Sequence, residues 1–316
     1  MIYQNPKELL DRVAEVTGRS LRQSPTIFED TTSYMNIMGG SVLRLADNDY
    51  YVITDAREGR FGIDDQPKFW VKYVFDLESG EKKIIKLVFY EEFGVQIGGV
   101  KIRCSRSPQK EADILEMVRG EPRFMQGTSV EDPVGNLARI IEIVPGHSLY
   151  KHITDIEVPH EEYFFQMLPP IMRQVIGCIE ALVDLHAKGQ HHGDVRNDHI
   201  IINNDTGLFT WIDFDYSVNY ADYDIWSIGN VLIRVAGKGT HTQHDIRTHP
   251  GDYPDFKGTI SRDDTVLLFK NRVANLSKLF PYITPALNKI LMRFSVGATD
   301  FYTDLNHVIS DLKEIF

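Results

Sequence analysis

Nineteen positions separate Asp194 from Asp213 in the stretch HHGDVRNDHIIINNDTGLFTWIDFDYS. Both lie beside apolar or aromatic runs, Ile200-Ile201-Ile202 and Phe209-Thr210-Trp211-Ile212, which read as two short paired strands turning at Asn203-Asn204-Asp205-Thr206-Gly207. Such pairing carries both carboxylates into one cleft. One can then handle a hydroxyl proton while the other holds a divalent cation, the division of labour that phosphoryl transfer requires. Lys86 is a third candidate, because it interrupts Ile84-Ile85-Lys86-Leu87-Val88-Phe89. An ammonium in so apolar a strand is costly unless an anion or carboxylate meets it. Glu111, one turn before Ile114-Leu115, is the expected partner. An edge-strand lysine with its stem packed and its head in water is the alternative.

The elements that must position these groups can be read from the hydrophobic pattern. Pro6 to Val16 reads as a short helix, and residues 19 to 40 as an irregular connection. Strands follow at Val42 to Leu45 and Tyr50 to Ile53, then at Phe69 to Phe75 and Lys83 to Phe89 around Glu78-Ser79-Gly80-Glu81. Ser107-Pro108 opens a helix with an apolar stripe at Ile114, Leu115 and Val118. Two more strands are expected in residues 121 to 144, and Pro145-Gly146 then breaks the pattern. Beyond it the chain reads helical, apart from the strand pair beside the aspartates, and residues 237 to 270 read as a polar loop. The expected organisation is a helical and irregular extension over 1–40, a strand-rich half over 41–144 and a helix-rich half over 145–316.

Composition narrows the function classes. At 316 residues, 42% hydrophobic and 25% charged, the chain is an ordinary globular protein. A net charge of −11 argues against a nucleic-acid partner, whose footprint is basic. Cys104 and Cys178 are too few for a disulfide framework. The first residues resemble no signal peptide, and Arg173, Glu180 and Asp184 interrupt the most apolar stretch, Ile171 to Leu185. A soluble, cytoplasmic protein without a membrane partner is the expectation. His186, His191, His192 and His199 cluster without a cysteine, and their neighbourhood suits a catalytic loop better than a zinc site.

The order lysine, glutamate, aspartate, aspartate resembles the protein kinase superfamily over about residues 50–316. Ile84-Ile85-Lys86 and Glu111 look like its strand lysine and helix partner. Glu142-Ile143-Val144-Pro145-Gly146 looks like the hinge, where backbone groups of Glu142 and Val144 would meet adenine. Ala181 to Asp194 is similar to the helix entering the catalytic loop, and Asp213-Phe214-Asp215 stands in the place of Asp-Phe-Gly. Asp224-Ile225-Trp226-Ser227-Ile228-Gly229 matches the helix that supports that loop, and residues 286 to 312 resemble the last two helices of bacterial Ser/Thr kinases. The resemblance implies an α+β, bilobal protein kinase-like fold, with an antiparallel β-sheet N-lobe carrying one helix and a mainly helical C-lobe. It implies ATP with Mg²⁺ (or Mn²⁺) as cofactors. Asp194 would accept or orient the hydroxyl proton, Arg196 would neutralise the transferring phosphoryl group, Lys86 would touch the ATP phosphates, and Asp213 would hold the metal, with His199 and Asp215 as further candidate ligands.

The sequence also departs from the family pattern. His199 stands five positions after Asp194, where the family has a metal-binding asparagine, and Asp215 replaces a glycine, like the Asp-Phe-Glu of choline kinases. The glycine loop is reduced to Gly59 and Gly62, with Arg57 in place of the first glycine. Only eleven positions run from Asp213 to Asp224, without an Ala-Pro-Glu motif, and this short connection resembles choline and aminoglycoside kinases. The expected activity is transfer of the γ-phosphate of ATP to a Ser/Thr-type hydroxyl on a protein. A small-molecule kinase acting on an amino-alcohol or aminoglycoside-like acceptor, and a nucleotide-binding pseudokinase with a regulatory role, are the alternatives.

Overall fold

Apolar residues at every second position drive Leu43, Leu45, Tyr50 and Val52 into one core, which the chain achieves with antiparallel strands at Val42–Leu45 and Asn48–Arg60. The structure, a computed structural model, describes residues 1–21, 23–60, 63–97, 100–269 and 271–316, with residues 58–60, 63–65 and 97 described by backbone alone. The architecture is α+β and forms two compact units. One comprises Met1–Glu91, Arg106–Glu121 and Met125–Val144; the other comprises Glu92–Ser105, Pro122–Phe124 and Pro145–Phe316.

The first unit is built on a seven-stranded sheet in the order Ile27–Phe28, Val42–Leu45, Asn48–Arg60, Ile63–Asp76, Lys82–Lys86, Leu137–Glu142 and Gly127–Glu131. Ile37, Leu43, Val52, Val74, Ile85 and Ala138 are fully buried in its core. The expected strand from Lys83 to Phe89 ends early, at Lys86. The helix Pro6–Thr17 starts where the Asn5 side chain accepts the Lys7 N–H, and it stops at Gly18, whose φ of 67° few other residues tolerate. It packs Leu9 and Val13 against Val42 and Leu77, and burying each such side chain contributes roughly 1.5–3 kcal/mol. The connection after it is less irregular than its sequence suggests. Ile27–Phe28 pairs in parallel with Val42–Leu43, and Asp132 accepts both the N–H and the hydroxyl of Thr31 at 2.8 Å. A two-residue strand is too short to show a period.

In the second unit the helix Leu168–Ala187 is apolar over most of its surface and correspondingly buried. The helix Tyr223–Ala236 runs so close to Phe294 that a Cβ on Gly229 would stand 2.4 Å from its ring. Gly146–Ser148, Ile200–Asn203 and Phe209–Trp211 form an antiparallel sheet, with the Asn203 side chain accepting the N–H groups of Asp205 and Thr206 in the turn. A second small sheet, in the order Tyr216–Val218, Val100–Arg106, Glu92–Ile97, was not expected from the sequence. The polar loop expected over 237–270 contains a helix, Gln243–Thr248, started by a capping box of Thr242 and Asp245. At six residues it is too short to reveal a helical period. Among the described residues, no helix is long and apolar enough to cross a membrane.

Candidate active site

In the sheet-based unit, antiparallel register sets Lys86 opposite Arg139. Both side chains turn to Glu111, whose helix, Pro108–Met117, is capped by the Ser107 hydroxyl and carries Pro108 in its first turn. Lys86 Nζ donates to Glu111 Oε1 at 2.6 Å, and Arg139 Nε donates to Oε2 at 3.2 Å. Glu111 and Arg139 are fully buried and Lys86 nearly so. Arg139 also donates from Nη1 to the carbonyls of Leu87 and Leu137. One carboxylate thus fixes the positions of two cations. Arg139 escaped the sequence reading because a single arginine in Leu137-Ala138-Arg139-Ile140-Ile141 looks like an exposed strand residue. The same argument that singled out Lys86, a charge inside an apolar strand, could have found it.

In the helix-rich unit, the loop from His192 to His199 hangs from Asp224. Its carboxylate accepts the N–H of His192 at 2.7 Å, the N–H of Gly193 at 2.8 Å and His186 Nε2 at 2.9 Å. Burial alone would raise the Asp224 carboxyl, but the bond from His186, the nearby His192 and the Gly193 N–H hold it down, at about 2. Phe214, fully buried, meets Phe124 and His192 edge-on. The Trp211 indole donates to the Cys178 carbonyl at 2.9 Å.

Asp194 and Asp213 both face His199. Its Nδ1 lies 3.5 Å from the Asp194 carboxylate and its Nε2 lies 3.7 Å from that of Asp213. His199 Nδ1 also donates to the Asp194 carbonyl at 2.9 Å, while the Ile212 N–H donates to the His199 carbonyl at 2.9 Å. Asp213 adopts a φ of 64°, a left-handed conformation uncommon outside glycine, so this backbone position is strained. Burial raises the Asp194 carboxyl, and the Asp213 and Asp198 charges add to the rise, against the opposing pull of His199 and Arg196. A carboxylate raised in this way is a better proton acceptor than an ordinary surface aspartate.

No family model matches the chain. One relative is a Caenorhabditis elegans protein named as a ribosomal protein S6 kinase alpha-2, 27% identical over 143 residues, which is 42% of this chain. The matched stretch spans 17% of that protein's own length. The likeness is therefore to a protein kinase, at low identity and over part of each chain.

The remaining candidates are less closely gathered. Arg196 is half exposed; its guanidinium grips Asp198 through Nε at 3.0 Å and through Nη2, and stands 3.9 Å from Asp194. Asp215 is buried, directly after Phe214. Glu142 ends its strand, and its N–H already donates to the Gln126 carbonyl, so that group is not free to meet a ligand. Val144 is half-buried at the last position of the first unit. Gly59 belongs to the strand Asn48–Arg60, and Gly62 lies outside the described residues.

One contributor went wholly unforeseen. The segment Glu92–Ser105 brings Cys104 near enough to Asp194 for the carboxylate charge to act on it, and burial first, then that charge, push the thiol up to about 11. Ile102 and Cys104 pack with Val218, Tyr220, Tyr223 and Trp226. Arg103 and Asn219 exchange bonds: the Arg103 N–H donates to the Asn219 side chain at 2.7 Å, and the Asn219 N–H to the Arg103 carbonyl at 3.2 Å. The sequence signal was present, since Gly98-Gly99 lies between the runs Phe93–Ile97 and Val100–Cys104, which alternate in part.

Proposed function

We propose that the chain is an ATP- and divalent-cation-dependent phosphotransferase of protein kinase-like, bilobal fold, acting on a hydroxyl acceptor. The observation that carries this reading is the convergence of Asp194 and Asp213 on His199, on a loop suspended from Asp224. The likeness to a named kinase supports it. The donor set fits Mg²⁺ or Mn²⁺, since Asp213 and Asp215 offer hard carboxylate oxygens. Such an ion supplies neutralisation of the phosphate oxygens during transfer.

The chain's own groups then divide the work. Asp194 orients the acceptor hydroxyl and takes its proton as the oxygen bonds to the γ-phosphorus and the bond to the β–γ bridging oxygen breaks, releasing ADP. Lys86, held by Glu111, presents an ammonium to the nucleotide phosphates. Arg196 adds positive charge beside Asp194. A second reading, a small hydroxylated acceptor in place of a protein, is favoured by one observation. Only eleven positions connect Asp213 to Asp224, and so short a connection leaves little chain on which to lay an extended peptide.

The deciding experiment follows nucleotide binding by thermal shift, with and without Mg²⁺ or Mn²⁺, alongside transfer of labelled γ-phosphate to generic proteins and to amino-alcohols. Transfer by the wild type that Asp194→Ala abolishes is the expected result. Metal-indifferent nucleotide binding with no transfer would point to a regulatory pseudokinase. Absence of nucleotide binding would end the proposal.

A further inference from the structure

His199 Nδ1 lies 2.9 Å from the Asp194 carbonyl oxygen. That oxygen can only accept, so Nδ1 carries the proton and Nε2 is the nitrogen left to bind something else. Nε2 points toward Asp213, 3.7 Å from its Oδ2. This separation is too long for a good hydrogen bond between the two. It suits two donors sharing one ion, since ligands each about 2.1 Å from a metal can stand up to roughly 4.2 Å apart. The imidazole is also oriented as metal-bound imidazoles are, with its other nitrogen tied to a backbone carbonyl. Both partners are held firmly. His199 is 6% exposed, its carbonyl accepts the Ile212 N–H, and Asp213 is strained into its conformation. Neighbouring His192 is not a competitor through Nδ1, which accepts the Asp194 N–H at 3.2 Å.

We infer that His199 Nε2 is a direct ligand, together with Asp213, of the divalent cation, and that it shifts the site's preference from Mg²⁺ to Mn²⁺. The physical reason is ligand hardness. Mg²⁺ takes oxygen donors almost to the exclusion of nitrogen, whereas Mn²⁺, a first-row transition ion that otherwise shares the preference of Mg²⁺ for carboxylate and water, also accepts an imidazole. The inference rests on the phosphotransferase reading and adds to it the identity of the metal.

The test is pulsed electron paramagnetic resonance on the full chain with Mn²⁺ and a non-hydrolysable ATP analogue. The wild type shows nitrogen modulation from a directly bound ¹⁴N, which changes to the ¹⁵N pattern when the protein is grown with ¹⁵N-histidine. In His199→Asn the modulation disappears and the Mn²⁺-to-Mg²⁺ affinity ratio falls by about 10-fold. Mg²⁺ affinity holds or rises, because the new amide offers an oxygen. The isotope measurement needs no substitution, so a poorly folding variant leaves the test intact. Bound Mn²⁺ without nitrogen coupling would mean that His199 does not ligate the ion, and the inference fails. Coupling that survives in His199→Asn, an unchanged Mn²⁺-to-Mg²⁺ ratio, or no Mn²⁺ binding would overturn it equally. Wild type that binds nucleotide and transfers phosphate without nitrogen coupling sinks this inference alone; wild type that binds no nucleotide sinks the reading beneath it.

Discussion

Asp194 is placed against its own solvation preference. Its carboxyl is raised chiefly by burial, so its folded-state value lies above its unfolded one. Below the ordinary carboxylate range the acid is protonated in both states and costs nothing. As pH rises through the folded value, the native state must hold a charge that burial opposes, and stability is lost. Asp194→Asn is therefore expected to melt at a higher temperature than wild type at pH 7, the gap closing as pH falls toward 4. Thermal melts across that range check it, and a gap independent of pH would contradict it. The same substitution should lower phosphate transfer by about 100-fold or more, as expected for a general base. Glu111 presents the opposite case. Glu111→Gln leaves Lys86 and Arg139 buried around a neutral amide, and the loss should be on the order of 3–5 kcal/mol by chemical denaturation. The Lys86–Glu111 pair was legible because an ammonium inside an apolar strand calls for a carboxylate, whereas Asp194 and Asp213 stood out at the edges of apolar runs. His199 was legible as a departure, but the tether that aims its Nε2 was not, since hydrogen bonds to a carbonyl leave no trace in residue type.

Among the elements, those with a long period or strong punctuation were readable. The helix Leu168–Ala187 and the pair Ile200–Asn203 and Phe209–Trp211 fall where hydrophobic spacing and the Asn203-to-Gly207 turn put them. What escaped were elements whose partner is far along the chain. Among its described side chains the segment Glu92–Ser105 buries only Ile102 and Cys104 completely, and their alternation is diluted by Lys101, Arg103 and Ser105. Its purpose emerges only from pairing with Tyr216–Val218, more than a hundred positions on. Ile102→Ala should cost about 2–5 kcal/mol, because it empties a buried site lined by aromatic residues. Hydrogen exchange should then accelerate at the Asn219 amide, which donates to Arg103. Retained protection there would show that the short segment stands without this support.

At the scale of the whole molecule, the first forty residues, read from sequence as an extension, are part of the sheet-based unit. Leu9 and Val13 complete its packing, and the Arg12 side chain donates to the Leu77 and Glu78 carbonyls. Leu9→Ala is expected to destabilise the protein by about 2–5 kcal/mol, far more than a change in a loosely attached tail. A shift under 0.5 kcal/mol in the urea midpoint analysis would show the helix to be dispensable. The sequence could not reveal this, because amphipathic spacing says that a helix buries one face without saying against what.

The backbone passes between the two units five times, at 91/92, 105/106, 121/122, 124/125 and 144/145. Neither unit is therefore a contiguous fragment. Cutting the gene after Val144 would hand one product the strands that belong with the other, leaving Ile102 and Cys104 without their apolar surroundings. Recombination between distant genes, which trades intact blocks, has no clean seam to use here. The two units must be inherited, and translated, as one.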